Sequence, residues 1–267
     1  MTHSTTRAAR TSATAVALGL ALAAAGCQAP SLDVTPRFVK LDLEGDLAAS
    51  SGALSGASNW DRLGLDDEPT SFAPRADLHA GPLDLTLDYA AASFSGTGTT
   101  DSQLELDGVT IPLGATVESE LDLATLRLTS TWDVVPGDLV TLGLGFGIAA
   151  IDSRARIEDT LTNNVVDSDE IVPLPYGALR LGFDFGPLEL EGLGSVLAID
   201  VGDAEASYID VDALARWRVL GGDDRISLSI AAGYRFADIE IEYDDGTDTV
   251  AIDAQISGPW VGATVTF

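Results

Sequence analysis

The side chains able to do chemistry in this chain are overwhelmingly charged, and they alternate with apolar residues. Arg127, Arg180, Arg216, Arg218 and Arg235, with Asp184, Asp210 and Asp212, stand at every second position of extended-looking segments, so those in one segment share a face. A planar guanidinium beside a carboxylate makes bidentate, charge-assisted pairs, the chemistry of a cross-linking salt lattice. The inventory for catalysis is thin. His3 and His79 are the only histidines, and Cys27 is the only cysteine. His79 shares its face with Arg75 and Asp77, one residue before a Gly81-Pro82 turn, and reads as part of a hydrogen-bonded cluster rather than a base. No glycine-rich phosphate loop is present. Asp244-Asp245-Gly246-Thr247-Asp248 offers hard oxygen ligands but lacks the rest of a calcium loop. The other acidic clusters, Asp152, Glu158 and Asp159, Asp167, Asp169 and Glu170, and Asp238, Glu240 and Glu242, read as solvated loops that attract divalent cations. We expect no catalytic residue, no metal centre and no cofactor.

The formal charge is -28, and without Arg7 and Arg10 the remainder holds 12 basic against 42 acidic residues. That excludes nucleic acid as a partner. Such an excess of acid commonly accompanies disorder, but 46% of the residues are hydrophobic and they are regularly spaced. The acids must sit where water or cations reach them.

Residues 1–26 read as a leader, with Arg7 and Arg10 preceding the apolar run Ala13 to Ala25, too short for a membrane-spanning helix. Leu22-Ala23-Ala24-Ala25-Gly26-Cys27 resembles a bacterial lipobox, which implies a lipidated Cys27 as the mature N-terminus. Ala24 stands where that motif commonly has leucine, so ordinary cleavage after Ala25 is the alternative. Gln28 resembles the outer-membrane sorting pattern of lipoproteins. Residues 27–34 are then a tether and 35–267 the folded domain.

Period-two alternation dominates after residue 34. In Val140 to Ala150 the even positions are apolar, whereas Thr141, Gly143, Gly145 and Gly147 are polar or small. Ten strands are expected near 36–49, 72–80, 82–93, 118–133, 139–155, 171–185, 187–201, 206–220, 224–241 and 249–267. Tight turns at Gly81-Pro82, Pro136-Gly137-Asp138, Gly186-Pro187 and Gly221-Gly222-Asp223 alternate with longer polar loops, the loop at 202–206 being the modest exception. This is the pattern of an all-β, antiparallel, up-and-down transmembrane barrel of about ten strands (eight to twelve), with short periplasmic turns and long outer loops. A soluble sandwich or lipocalin-like barrel competes, but several strands exceed the usual 5–6 residues of soluble proteins.

The chain ends with Val261, Ala263, Val265 and Phe267 on one face. This resembles the C-terminal strand signature of outer-membrane barrels, and implies recognition by the barrel assembly machinery. At the level of pattern, residues 35–267 resemble the small OmpA/OmpX-like barrel class. Its parity points Lys40, Asp42 and Glu44, Arg75, Asp77 and His79, Asp84 and Asp88, Arg127, Arg180 and Asp184, Glu189 and Glu191, Asp210, Asp212, Arg216 and Arg218, and Arg235 into the lumen. Trp132, Trp217, Tyr234, Phe236, Trp260 and Phe267 should lie on lipid-facing sides as an interfacial girdle. The resulting expectation is an outer-membrane lipoprotein, anchored on the periplasmic side with its loops outside, non-enzymatic, with an envelope-structural or surface-interaction role and outer-membrane lipids as partners. A narrow cation-preferring, porin-like channel is the first alternative. An outer-membrane hydrolase is the second.

Overall fold

The computed structural model describes residues 29–267 apart from 52–53, 66–67, 107–108, 138, 163, 202–203, 222–225 and 245–247. The leader, Cys27 and the centre of the Asp244–Asp248 stretch lie outside the described residues. Among the described residues all regular elements are strands, and they make ten passes of an antiparallel barrel. The first pass is broken into β1 (Ser31–Thr35), β2 (Arg37–Lys40) and β3 (Asp42–Ser51), and the second into β4 (Leu54–Asn59), β5 (Thr70–Phe72) and β6 (Arg75–Ala80). The third is β7 (Leu83–Thr99), followed by the small hairpin of β8 (Leu104–Leu106) and β9 (Val109–Ile111). The rest are β10 (Thr116–Val135), β11 (Val140–Asp159), β12 (Val165–Asp184), β13 (Leu188–Val201), β14 (Ala204–Leu220), β15 (Ser227–Asp244) and β16 (Asp248–Thr266). β16 closes the ring, pairing β15 on one edge and β1, β2 and β3 on the other.

The first strand begins at Ser31, not at residue 35 as the tether boundary supposed. Leu32 and Val34 face out, Asp33 and Thr35 face in, and Pro36 only interrupts the alternation that Arg37 and Val39 resume. Several strands are also longer than expected. β10, β11 and β12 run for 20 residues each, about twice the 9–11 that a bilayer crossing needs.

The extra length changes the meaning of each face. Nearer the short turns, outward side chains are apolar, among them Leu126, Leu144, Phe146, Leu179, Ile209, Trp217, Ile230 and Val261, and form the belt that meets hydrocarbon. Above the belt the polarity reverses. Leu41, Leu43, Phe94, Val117, Leu121 and Ile157 point inward and are buried, whereas Lys40, Asp42, Glu44, Ser95, Glu118, Glu120 and Arg156 point out to water. The lumenal placement of Lys40, Asp42 and Glu44 is thus corrected, because apolar-out parity holds only where lipid is the solvent. Lys40 instead pairs with Glu68 on the outer surface.

The upper interior is filled by the chain between β4 and β5, which folds inward so that Trp60, Leu63 and Leu65 are buried against Leu41, Leu43, Phe94 and Ile111. Trp60 donates through Nε1 to the carbonyl of Asp253 at 3.0 Å and through its amide to Gly45 at 3.2 Å. Gly45 has φ +120°, and a Cβ there would lie 2.3 Å from that same Asp253 oxygen, so only glycine lets β3 approach β16 here.

The wall is less complete on the opposite side. β12 pairs with β11 along its whole length, but among the described residues its ladder with β13 ends at Gly177 opposite Val196.

Candidate functional site

The candidate site is the lumen behind the belt, where six arginines and seven carboxylates are buried together: Arg37, Arg75, Arg127, Arg180, Arg216 and Arg235 with Asp33, Asp77, Asp84, Asp88, Glu191, Asp210 and Asp212. The strands carry them there by parity alone, since an inward position every second residue is a lumenal one. What the parity leaves open is who meets whom. Asp88 of β7 accepts from Arg37, from Arg127 at 3.2 Å and from Arg235 at 3.4 Å. Asp210 joins Arg127 to Arg235, the latter through Nη2 at 3.1 Å. Asp212 accepts from Arg37 at 2.5 Å and from Trp260 Nε1 at 3.0 Å, and the Arg37 guanidinium lies 5.0 Å from the Trp260 ring centre.

The lattice continues toward the short turns. Arg75 grips Asp77 through Nε at 2.9 Å, reaches Glu191, and lies 3.7 Å from Asp212, which links the two levels. Thr86 adds a hydroxyl to Asp77 at 2.7 Å. Arg180 binds Asp84 and, at 2.9 Å, Asp133. His79 contacts Asp84 through Nδ1 and stands 3.7 Å from Asp33 through Nε2. Arg216 pairs with Asp33 at 2.6 Å and Glu189 at 3.3 Å. Most carboxylates therefore touch at least two cations, and one connected network joins nine of the ten passes.

The remaining pass, β11, contributes space. A Cβ on Gly147 would fall 2.4 Å from the Tyr176 ring, and one on Gly143 would meet Asp133 and Arg180 at 3.3–3.5 Å. Tyr176 occupies the room that Gly147 leaves, and its hydroxyl bonds Thr129 at 2.7 Å. With Tyr208, Leu174, Ile151 and Ile239 it forms an apolar cluster on one side of the lumen, above the charges.

Of the residues the sequence nominated for a charge network, Arg127, Arg180, Asp210, Asp212, Arg216 and Arg235 lie within the lattice. Asp184 and Arg218 do not. Asp184 sits exposed at the strand end, where its carboxylate accepts from the Gly186 amide at 2.6 Å. Arg218 is exposed near the end of its strand, beside a register shift between Arg218 and Leu220. Asp33 was missed because the Pro36 break hid its strand, and Arg37 because the face of Lys40, Asp42 and Glu44 was taken as the inward one, although Asp33, Thr35, Arg37 and Val39 keep strict period two across the proline. Trp260 was assigned to the girdle, yet it is one residue off the parity of Val261 and therefore points inward. Trp132, Trp217, Tyr234 and Phe267 are exposed outward, as are Val261 and, in part, Ala263 and Val265.

Most of the acidic clusters expected in loops lie instead in strands that run on past the belt: Asp152 and Glu158 in β11, Asp167, Asp169 and Glu170 in β12, and Asp238, Glu240 and Glu242 in β15. Asp159 closes the β11 hairpin by accepting from Thr162 Oγ1 at 2.7 Å and the Leu161 amide at 2.9 Å, and these bonds hold its carboxyl below the usual range. Asp253 stands between Asp46 and Glu240 on neighbouring strands, and partial desolvation followed by repulsion from Asp238, Glu240 and Asp46 pushes its carboxyl up. Among the described residues no group of three metal-ligating side chains converges.

No protein-family model matches the sequence, and no curated protein matches it. Solved structures do. The outer membrane protease OmpT from Escherichia coli superposes with a TM-score of 0.51 at 9% identity, over 91% of this chain and 100% of that one. Neisserial surface protein A gives 0.34 at 13% identity over 90% and 100%, and Ail of Yersinia pestis 0.28 at 8% over 90% and 100%. The chain has the fold of the outer-membrane β-barrels.

Proposed function

We propose that the protein is a lipid-anchored, non-catalytic outer-membrane barrel that closes its own lumen and serves an envelope-structural or surface-interaction role. The observation that carries this reading is the stack of two fillings: the arginine–carboxylate lattice at belt level and the Trp60, Leu63 and Leu65 wedge above it. A conducting pore needs a continuous wet path, and a barrel of this strand number is only slightly wider than one whose side chains already fill it. Reaction chemistry finds little support, because His79 is engaged by Asp84 and Asp33 at the end bearing the short turns, away from where an external substrate arrives. In this orientation both termini face the periplasm, in keeping with a tether at Cys27 that needs only a few residues to reach Ser31.

Planar-bilayer recording of the refolded protein tests the closed lumen. The expected trace is silent at physiological salt, and stable unitary steps with cation selectivity would replace this reading by a channel. Metabolic labelling with a radioactive fatty acid tests the anchor. Label should enter the parent and vanish in Cys27→Ser, while the variant stays in the membrane fraction.

A further inference from the structure

The wedge in the upper lumen is pinned to one wall by its tryptophan. Trp60 gives its indole N–H to the carbonyl of Asp253 on β16 and its amide to the carbonyl of Gly45 on β3, so both bonds end on the ladder where these two strands meet. Gly45 has no side chain to stand between the indole and that oxygen. The rest of the wedge is a tight turn, with the Arg62 and Leu63 amides on the Asn59 carbonyl and the Leu65 amide on the Trp60 carbonyl. Its far side rests on β7, where the Arg62 carbonyl accepts from the Thr99 amide at 2.7 Å.

On the outer surface the same rungs carry a row of like charges. Register sets Asp46 of β3 opposite Asp253, and Asp253 opposite Glu240 of β15. All three are exposed, above the belt. One level toward the belt, Gln255 stands between Glu44 and Asp238 and donates to Glu44 at 3.2 Å. One level outward, the ladder sets Glu242 opposite Glu205 of β14. At the two ends of the row, Asn59 of β4 lies opposite Asp46, and Ser207 of β14 donates to Glu240 at 3.2 Å. Among the described residues no basic side chain pairs with Asp46, Asp253 or Glu240, and Lys40, lower on the same wall, is held by Glu68.

Like charges directly opposite one another weaken a cross-strand pair. Partial desolvation, and then repulsion from Asp238, Glu240 and Asp46, raise the Asp253 carboxyl. A carboxyl that the fold raises destabilises the fold once it is deprotonated, so the penalty is absent in acid and appears as pH rises through the raised value. Asp253 thus belongs to two structures at once: its side chain to the outer row, its carbonyl to the wedge. Spreading β16 from β3 relieves the row and withdraws the carbonyl from the indole.

We propose that the Asp46, Asp253 and Glu240 row is a charge-operated latch on the Trp60–Leu65 wedge. With the row ionised and unscreened the β3–β16 rungs spread and the indole lets go of Asp253; with the row protonated or screened by salt the wedge is held. The lattice below takes no part in this motion. A parent that conducts therefore defeats the closed lumen alone, and a wedge indifferent to charge defeats the latch alone.

The test is hydrogen exchange of the full chain in detergent micelles, read by mass spectrometry on the Trp60–Leu65 peptide and corrected for intrinsic rates. In the parent at low salt, going from about pH 4 to about pH 7.5 should speed wedge exchange about five-fold, the size expected when two cross-strand like-charge contacts appear. Raising the ionic strength from about 0.01 M to about 1 M at the higher pH shortens the Debye length from about 30 Å to about 3 Å and should reverse most of that gain. Asp253→Asn keeps the carbonyl, removes the central charge, and should leave exchange slow at both pH values. Glu240→Gln, on a strand the wedge does not touch, should halve the response, and serves if Asp253→Asn fails to insert. Trp60→Phe keeps a ring but loses the indole donor, so its wedge should exchange fast at both pH values. Parent exchange that ignores pH and salt, a full response in Asp253→Asn or Glu240→Gln, or a Trp60→Phe wedge that follows pH as fully as the parent, overturns the proposal.

Discussion

Asp88→Asn isolates what the lattice contributes. The side chain keeps its shape but loses the charge shared by Arg37, Arg127 and Arg235, so a cluster of seven buried carboxylates and six arginines drops to six and six, with three guanidiniums crowded on a neutral amide. Breaking a buried pair by removing one partner costs about 3–5 kcal/mol, because the other charge stays buried. For a domain of this size 1 kcal/mol corresponds to roughly 2–4 °C, so the melting temperature should fall by about 6–20 °C. The assay is heat-modifiable migration on gels together with circular dichroism in detergent. Arg218→Ala is the internal control, since that guanidinium is exposed and should cost no more than about 0.5 kcal/mol. Adding Arg235→Met to Asp88→Asn removes a cation along with its anion and should recover part of the loss. Equal melting of Asp88→Asn and the parent, or an equal loss in Arg218→Ala, would refute the claim that the lattice is a stabilising plug.

Trp60→Ala should destabilise by about 3–5 kcal/mol and, by removing the wedge, raise single-channel noise above the silent parent. Gly147→Ala forces Tyr176 off Thr129 and should cost about 1–3 kcal/mol, with the double variant carrying Tyr176→Leu less affected than the sum of the two changes. At the β11 hairpin tip the folded carboxyl of Asp159 is held below its unfolded value, so its contribution is present above about pH 4 and is lost as pH falls through the lowered value. Hydrogen exchange should show the Leu161 amide protected at neutral pH and released in acid, and an unchanged rate across that window would contradict the assignment.

How much of this was legible in the sequence follows from which solvent each face meets. Period-two alternation and Gly/Pro turns give ten passes because every pass must separate lipid from lumen, and the pattern survives even at Val140–Ala150, where small residues replace polar ones. Lys40, Asp42 and Glu44 were misplaced by the same rule that placed Arg127, Asp210 and Arg235 correctly. The strands continue past the bilayer, and nothing in a local window marks the height at which lipid gives way to water and polar-in becomes polar-out. That height is a property of neighbouring strands in register. Asp184 and Arg218 failed for a second reason: parity tells the face but not whether a strand end or a register shift turns the side chain away.

The residues hardest to place are the ones that make the barrel specific. Pro173 and Pro175 read as ordinary interruptions in a sequence, yet whether a proline breaks a ladder depends on which neighbour its absent amide would have faced. That is decided by strand register, which the Gly186-Pro187 turn sets between β12 and β13, more than ten residues from the two prolines. Two prolines at adjacent odd positions remove donors from one edge only, so β12 stays sewn to β11 while its other edge is freed. Had they stood at Leu174 and Tyr176, the same two residues would have loosened the β11 hairpin and left the β13 wall closed. The charge lattice and the open seam are thus products of one alternation: inward parity gathers the arginines and carboxylates, and edge parity decides where the wall parts.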